Sequence, residues 1–306
     1  MLFTVALCTW NRCASLRATL ARLAQLETAD VSWEVVVVDN ASTDDTAAVL
    51  AEACSALPLR TEREPRLGIT HARNRAMKAA RGRWILWLDD DVLVDSGWLR
   101  AYERAVQHYR EAAFFGGPIQ PRFQGPLPQW LSANMSRLAG VYGIRDLGSV
   151  PMELDRFHVP WGANMAVRAD VARRVPYDPR FGIVGNDRIG GTETHHLREI
   201  VDRGYRGWWV PQARVQHVIG ADHLTLSHVR CYFEGLGRST GLNHGAGLPE
   251  SWFRAVAFER RFRTALASDA PPEVWVPLLI EASLARGLCR AHRDARRIRS
   301  GPELQR

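Results

Sequence analysis

Long apolar runs are missing from this chain of 306 residues, and no stretch approaches the roughly 20 consecutive apolar residues of a bilayer-spanning helix. The first residues, Met1-Leu2-Phe3-Thr4-Val5, already read as a strand. No basic region, apolar segment and small-residue cleavage site follow in succession, so a secretory leader is not expected. Cysteine is scarce and scattered. Cys8, Cys13, Cys54, Cys231 and Cys289 form no C-x-x-C pair, which argues against a disulfide frame or a zinc site and for reduced thiols in the cytoplasm. Lysine is almost absent; Lys78 is the single one, and arginine carries the remaining basic charge. No G-x-G-x-x-G follows a strand and no G-x-x-x-x-G-K-[ST] occurs, so the fingerprints of dinucleotide-dependent dehydrogenases and phosphate-loop ATPases are lacking. Internal repeats and low-complexity tracts are absent as well.

What is present is a 46% hydrophobic composition, enough for a substantial core, and an uneven charge. Of the net +7, +5 falls between Arg254 and Arg306, where eleven arginines face six acids. No aromatic-basic platform accompanies that tail, so nucleic-acid binding is not expected. The segment "VWVPLLIEASLARGL", followed by Arg290, Arg293, Arg296, Arg297 and Arg299, has two uses. It could lie on an anionic membrane as a peripheral contact at the inner face, or pack on its own domain or on a second copy as a homodimer.

Residues 1–117 alternate short apolar runs with helical patterns, the signature of βαβ units around a mostly parallel sheet. "FTVAL", "EVVVVD", "LRTER", "RWILWL" and "AFFGG" read as strands. The unbroken valines of the second imply burial on both faces. A helix is expected near residue 43, with Ser42 or Thr43 as its cap, and another from about Ser96 to Arg110. From Pro118 to Val159 the text is irregular, "GGTETHHLREIVDRG" is helical between glycines, and "YRGWWVPQARVQHV" suggests paired short strands. A helical extension is expected over 223–306, after an α/β domain of 1–222 whose halves are 1–117 and 118–222.

In open α/β sheets ligands bind at the carboxyl ends of the strands. Three strands here end in polar side chains, in "ALCTWNR", "VVVDNAS" and "LWLDDD", which brings Asp39 and Asp89 to Asp91 to one crevice. Alternation along an extended chain turns Asp89 and Asp91 one way and Asp90 the other. Two carboxylates two residues apart suit a hard divalent cation, which also offsets their repulsion. With the nucleotide-cofactor fingerprints missing, the residues point to metal-dependent transfer from a nucleotide-linked donor.

The segments "TVALCTWNR", "VVVVDNASTDDT", "GITHARNRAMKAARGRWILWLDDDV" and "WGANMAVRADV" resemble, in order, the core of family 2 glycosyltransferases of the GT-A fold. The resemblance implies a Rossmann-like, mostly parallel central sheet flanked by helices. It also implies a nucleoside-diphosphate sugar donor with Mn²⁺ or Mg²⁺, and a saccharide, polysaccharide or lipid-linked acceptor. By resemblance, Thr9, Asn11 and Arg12 lie against the nucleotide, Asp39 binds the base, and Arg73 approaches the base or diphosphate. Asp89 contacts the ribose and Asp90 belongs to the same donor site. Asp91 ligates the metal together with His217. Trp161, Gly162 and Ala163 line the donor sugar. The acidic motif that commonly reads G-E-D-T is Gly191-Thr192-Glu193-Thr194 here. Glu193 then stands where the catalytic aspartate belongs, as general base of an inverting single displacement, with Asp187 as the fallback. His195 and His196 are adjacent on a helix and make a poor metal site, although either could touch the acceptor. A hexosyltransferase is therefore expected. The alternatives are a metal-dependent nucleotidyltransferase, which lacks its usual glycine-rich loop here, and a catalytically lapsed binding protein.

Overall fold

The computed structural model describes residues 1–299 except 29, 185–186 and 245–247; side chains at 183–184, 187–188, 243–244, 248–249 and 295–299 are likewise outside the description. The first half follows the strand-helix alternation: β1 (Phe3–Thr9), α1 (Cys13–Leu23), β2 (Trp33–Asp39), α2 (Thr46–Ala53), β3 (Leu59–Arg63), α3 (Ile69–Ala79) and β4 (Trp84–Asp89). Next come β5 (Val92–Val94), α4 (Trp98–His108), β6 (Phe114–Gly116) and β7 (Ile119–Phe123). The irregular segment resolves into α5 (Gln129–Ser132), α6 (Met135–Leu138) and β8 (Glu153–Leu154). It is followed by β9 (Met165–Arg168), α7 (Ala169–Arg174), β10 (Gly182–Val184), β11 (Asp187–Ile189) and α8 (Thr192–Asp202). The chain continues with β12 (Gly207–Trp209), β13 (Val215–Ile219), α9 (Leu226–His244), α10 (Leu248–Ala267) and α11 (Pro272–Arg299).

The main sheet has the order β3-β2-β1-β4-β9-β6-β12-β8. β1 to β4 are parallel, β9 runs antiparallel to both β4 and β6, β12 is parallel to β6, and β8 pairs antiparallel with β12. Alternate side chains of one strand enter different cores: Val35 and Val37 pack on one face, Val36 and Val38 on the other. That is why the valine run shows no alternation. β12 and β13 were expected to pair with each other but join different sheets; β13 lies between β5 and β7 in a separate three-stranded sheet. The helix expected near residue 43 starts at Thr46, because Asp44 Oδ1 accepts from Thr46 N at 3.2 Å and the Thr43 amide is bound to Asn11.

By contacts the chain divides into two interleaved units. The first comprises 1–124, 142–179 and 192–219 and contains the main sheet; the second comprises 125–141, 180–191 and 220–306. The expected division at residue 222 is sequential, whereas these units exchange segments twice. Within the second unit α9 lies against α11, and Trp275, Val276, Leu279, Ala282 and Ala285 are buried. The apolar side of α11 is thus consumed inside its own unit. Among the described residues, no helix is long and apolar enough to cross a membrane.

Candidate active site

The parallel register aligns Thr9 with Asp39, and Cys8 with Asp89. The sheet grows outward from β1 to β3 on one side and to β4 on the other, so its topological switch lies between β1 and β4. A crevice opens at the carboxyl ends of strands at such a switch. Asp39, Asp89, Asp90 and Asp91 stand at that edge.

Beyond Asp89 the chain turns at Asp90 and Asp91, and the expected alternation stops there. The turn gives the three aspartates different counter-charges. Arg12 spans two of them, with Nη1 3.1 Å from Asp90 Oδ1 and Nη2 2.5 Å from Asp91 Oδ2. Asp90 also accepts from the Thr9 hydroxyl at 2.7 Å, and its carbonyl accepts from Thr19 Oγ1 at 2.9 Å. Burial pushes the Asp90 carboxyl up to about 7 against the pull of Arg12. Asp89 is more open, with Arg73 Nη2 at 3.7 Å.

His217 arrives through sheet pairing. Val92 to Val94, directly after the aspartates, form β5, and its antiparallel register sets His217 opposite Val92. Val218 N donates to the Asp91 carbonyl at 2.9 Å, and His217 Nε2 comes within 3.4 Å of Asp91 Oδ2. His217 Nδ1 is 2.7 Å from the Tyr142 carbonyl, which can only accept, so Nδ1 carries a hydrogen. Burial alone would raise Asp91 and lower His217. Their mutual attraction reverses both, with Arg12 adding to it at Asp91 and the Tyr142 carbonyl and Asp89 adding to it at His217: Asp91 is held well below the usual carboxylate range and His217 rises to about 9.

Do these groups fit a divalent cation? Among the described residues no three His, Cys, Asp or Glu side chains cluster as a complete protein cage. Magnesium-type sites, however, commonly take one or two protein ligands and complete their shell with water and substrate phosphate. Asp91 Oδ1 is buried without a hydrogen-bond partner, and the Tyr142 carbonyl, by accepting from His217 Nδ1, leaves Nε2 as the ring nitrogen turned toward Asp91. The donor set fits.

On the other side of the crevice, Arg73 is only 4% exposed, and its Nη1 lies 2.5 Å from Glu193 Oε1. Its guanidinium also sits 5.5 Å from the ring centroid of Tyr177, and His196 stacks on that ring at 4.2 Å. Asn74 grips Tyr177 at both backbone groups, accepting from its N–H at 2.9 Å and donating to its carbonyl at 2.8 Å. Gly162 closes over the ion pair: a Cβ there would stand 2.5 Å from Glu193 Oε1 and 2.8 Å from Arg73 Nη2. A side chain in place of the glycine of "WGAN" would therefore have to displace the Arg73–Glu193 pair beneath it.

The remaining candidates have simpler surroundings. Asn11 adopts φ 53°, a conformation asparagine tolerates, and its Oδ1 accepts from Thr43 N at 2.7 Å. Asp39 Oδ1 accepts from Ser42 N at 2.8 Å. Trp161 is partly buried with Arg145 over its ring at 5.1 Å, and Ala163 is buried in the core. Asp187 opens β11, but its side chain lies outside the described residues. His196 is buried and takes no part in the crevice surface.

Sequence reasoning missed two residues. Asn164 is fully buried and uses both ends of its amide. Oδ1 accepts from Trp98 Nε1 and Tyr102 OH at 2.9 and 2.8 Å; Nδ2 donates to the Pro118 and Ala213 carbonyls at 3.0 and 2.7 Å. It ties the start of β9 to α4 and to two strand ends. Tyr177 is the other; nothing in its local sequence distinguishes it from an ordinary core tyrosine.

A mostly parallel sheet reversing at β1 and β4, with carboxylates at its switch, is the GT-A fold. A model of glycosyl transferase family 2 matches residues 4–175, more than half of the chain, and the chain belongs to that family. An uncharacterized protein of Mycobacterium tuberculosis is 32% identical over 106 residues, 35% of this chain; the chain spans only about a third (33%) of that relative's length. Among solved structures, the mannosyltransferase PcManGT from Pyrobaculum calidifontis in complex with GDP-Man and Mn²⁺ superimposes with a TM-score of 0.57. It is 18% identical, over 98% of this chain and 75% of that one. A segment of S. aureus TarS in complex with UDP-GlcNAc gives 0.55 at 13% identity, over 96% and 92%. GalNAc-T7 with UDP, GalNAc and Mn²⁺ gives 0.54 at 16%, over 81% and 52%. At such identities the likeness is one of fold.

Proposed function

We propose that this protein moves a hexose from a nucleoside-diphosphate sugar to an acceptor hydroxyl, with inversion, in a divalent-metal-dependent reaction. The observation that carries this is the Asp91–His217 pair: a buried carboxylate with one oxygen lacking a protein partner, beside an imidazole whose Nδ1 hydrogen is committed to Tyr142. The neighbours solved with GDP-Man or with UDP and GalNAc also hold Mn²⁺, which supports the same choice. Asp91 and His217 would hold the cation, which when bound offsets the charge developing on the departing diphosphate. Asp39 and Asp89 receive the base and ribose, and Gly162 lets backbone approach the sugar.

Glu193 acts as general base. Its carboxylate takes the acceptor hydroxyl proton as that oxygen bonds the anomeric carbon and the bond from that carbon to the diphosphate oxygen breaks. Arg73 holds the carboxylate in place from its buried side. A saccharide or lipid-linked saccharide fits as acceptor. The test is a panel of UDP-, GDP- and dTDP-sugars with Mn²⁺ or Mg²⁺, scored by nucleoside diphosphate release. One donor is expected to be consumed, with activity lost on chelation and in Asp91→Ala. Pyrophosphate exchange with a nucleoside triphosphate would instead make it a nucleotidyltransferase. Donor binding without consumption would make it a lapsed enzyme.

A further inference from the structure

The second unit carries a groove of about 680 Å³ between α10 and α11. One wall is a stripe of α10 at helical spacing, Trp252, Val256, Arg260 and Arg263; the other is the stripe Arg286, Arg290 and Arg293 of α11. Two acids face these arginines. Glu259 takes Arg263 at 2.9 Å and Arg286 at 3.1 Å, and also Arg230 at 2.9 Å from α9. Glu234 takes Arg290 at 3.0 Å. Arg260 and Arg293 are exposed, line the same groove, and have no ion-pair partner among the described residues. Guanidinium therefore exceeds carboxylate in the groove. Such an excess is costly through self-repulsion and is offset by a bound anion.

The flank of the groove decides the kind of anion. Trp252, Phe253 and Val256 are 54%, 65% and 50% exposed, a concentration of large apolar side chains on two turns of one helix. Burying that surface is favourable, yet a free phosphate would leave it in water. A phosphate attached to an acyl boundary would cover both features at once: the planar arginine forks match phosphate oxygens, and the aromatic residues suit the interfacial region.

We propose that this groove seats the phosphate-bearing head group of an anionic lipid and so holds the protein against a membrane surface. The contact is made by α10 together with the basic stripe of α11, because the apolar side of α11 is already buried within the unit. It does not depend on the catalytic assignment.

The experiment is cosedimentation of the full chain with vesicles of phosphatidylglycerol and phosphatidylcholine, against phosphatidylcholine alone. Binding is expected only with the anionic lipid and should weaken with added salt. Arg260→Gln/Arg293→Gln should lower partitioning about 25-fold, roughly fivefold per arginine near an anionic surface. Both side chains are exposed and outside the internal ion pairs, so the melting curve should not move. Trp252→Ser should weaken binding through the apolar contribution alone, with unchanged salt dependence. The proposal is overturned by absence of binding to the anionic vesicles, or by undiminished binding of the double variant. It is equally overturned if inorganic pyrophosphate displaces the vesicles stoichiometrically, which would make the groove a soluble-anion site. Binding to duplex DNA in place of vesicles would also overturn it.

Discussion

Arg73 sits almost wholly out of water, and three neighbours make that tolerable: Glu193, Asp89 and the face of Tyr177. Removing one partner of a buried ion pair leaves the other charge uncompensated. Glu193→Gln is therefore expected to do two things at once. Turnover should fall while donor binding persists, and the melting temperature should drop by the equivalent of about 2 kcal/mol, below the fully buried range because Glu193 is partly exposed. Calorimetry beside single-turnover kinetics checks both, and unchanged turnover would move the base to Asp187. His196 offers a second measurement. It is buried, and burial lowers its pKa from 6.5 to about 3 against the weaker opposing pull of the Val175 backbone. Between those values the unfolded chain binds a proton that the folded chain refuses, so stability falls as pH falls. The slope reaches about 1.4 kcal/mol per pH unit and ends below the folded pKa. His196→Phe keeps a ring against Tyr177 and should flatten the loss of urea resistance between pH 6.5 and 5 relative to the parent. An identical slope in both proteins would assign the acid sensitivity to carboxylates elsewhere.

The helical unit is held by close backbone approach. A Cβ on Gly237 of α9 would stand 2.1 Å from the Leu284 carbonyl oxygen of α11, and one on Gly287 of α11 would stand 2.1 Å from the Glu234 carbonyl oxygen. Two effects compete on substitution by alanine. Helix propensity favours it by about 1 kcal/mol, whereas overpacking typically costs about 1–3 kcal/mol. Here the obstructing atoms are backbone and cannot rotate away, so the cost wins. Gly237→Ala and Gly287→Ala should each lower the urea midpoint of the helical unit. Among the site elements, β5 is the least conspicuous and the most consequential. In "WILWLDDDVLVD" the three apolar residues after the aspartates look like a relapse into core, yet they are the strand on which β13 pairs and through which His217 reaches Asp91. Unbroken apolar runs could identify β2 and β4, which are buried on both faces, and periodicity the long helices, which are buried on one. Three residues are too few to show a period, and nothing local in β13 names its partner.

Across the whole molecule the two contact units interleave, and that has a consequence for truncation. Residues 125–141 and 180–191 belong with 220–306: α5 packs against α11, Trp130 lies 6.1 Å from Trp275, and β11 packs against α9. A chain ended at 222 would keep α5 and β11 while losing the helices they pack on. Such a fragment should be aggregation-prone and more readily cleaved within 125–141 and 180–191 than the full chain. Limited proteolysis followed by mass spectrometry would detect this, and a fragment as resistant as the parent would refute it. The amino-acid sequence by itself determined the parallel strand-helix core and the family, and it singled out Asp39, Asp91, Gly162 and Glu193 as candidates, since all of these rest on local pattern or on motifs a few residues long. Only the tertiary structure decided what balances the three aspartates. Arg12 bridges Asp90 and Asp91, His217 faces Asp91, and Arg73 is shared between Asp89 and Glu193. Those partners come from the turn before α1, from α3 and from β13, and electrostatic pairing depends on distance in space, on which spacing along the chain is silent.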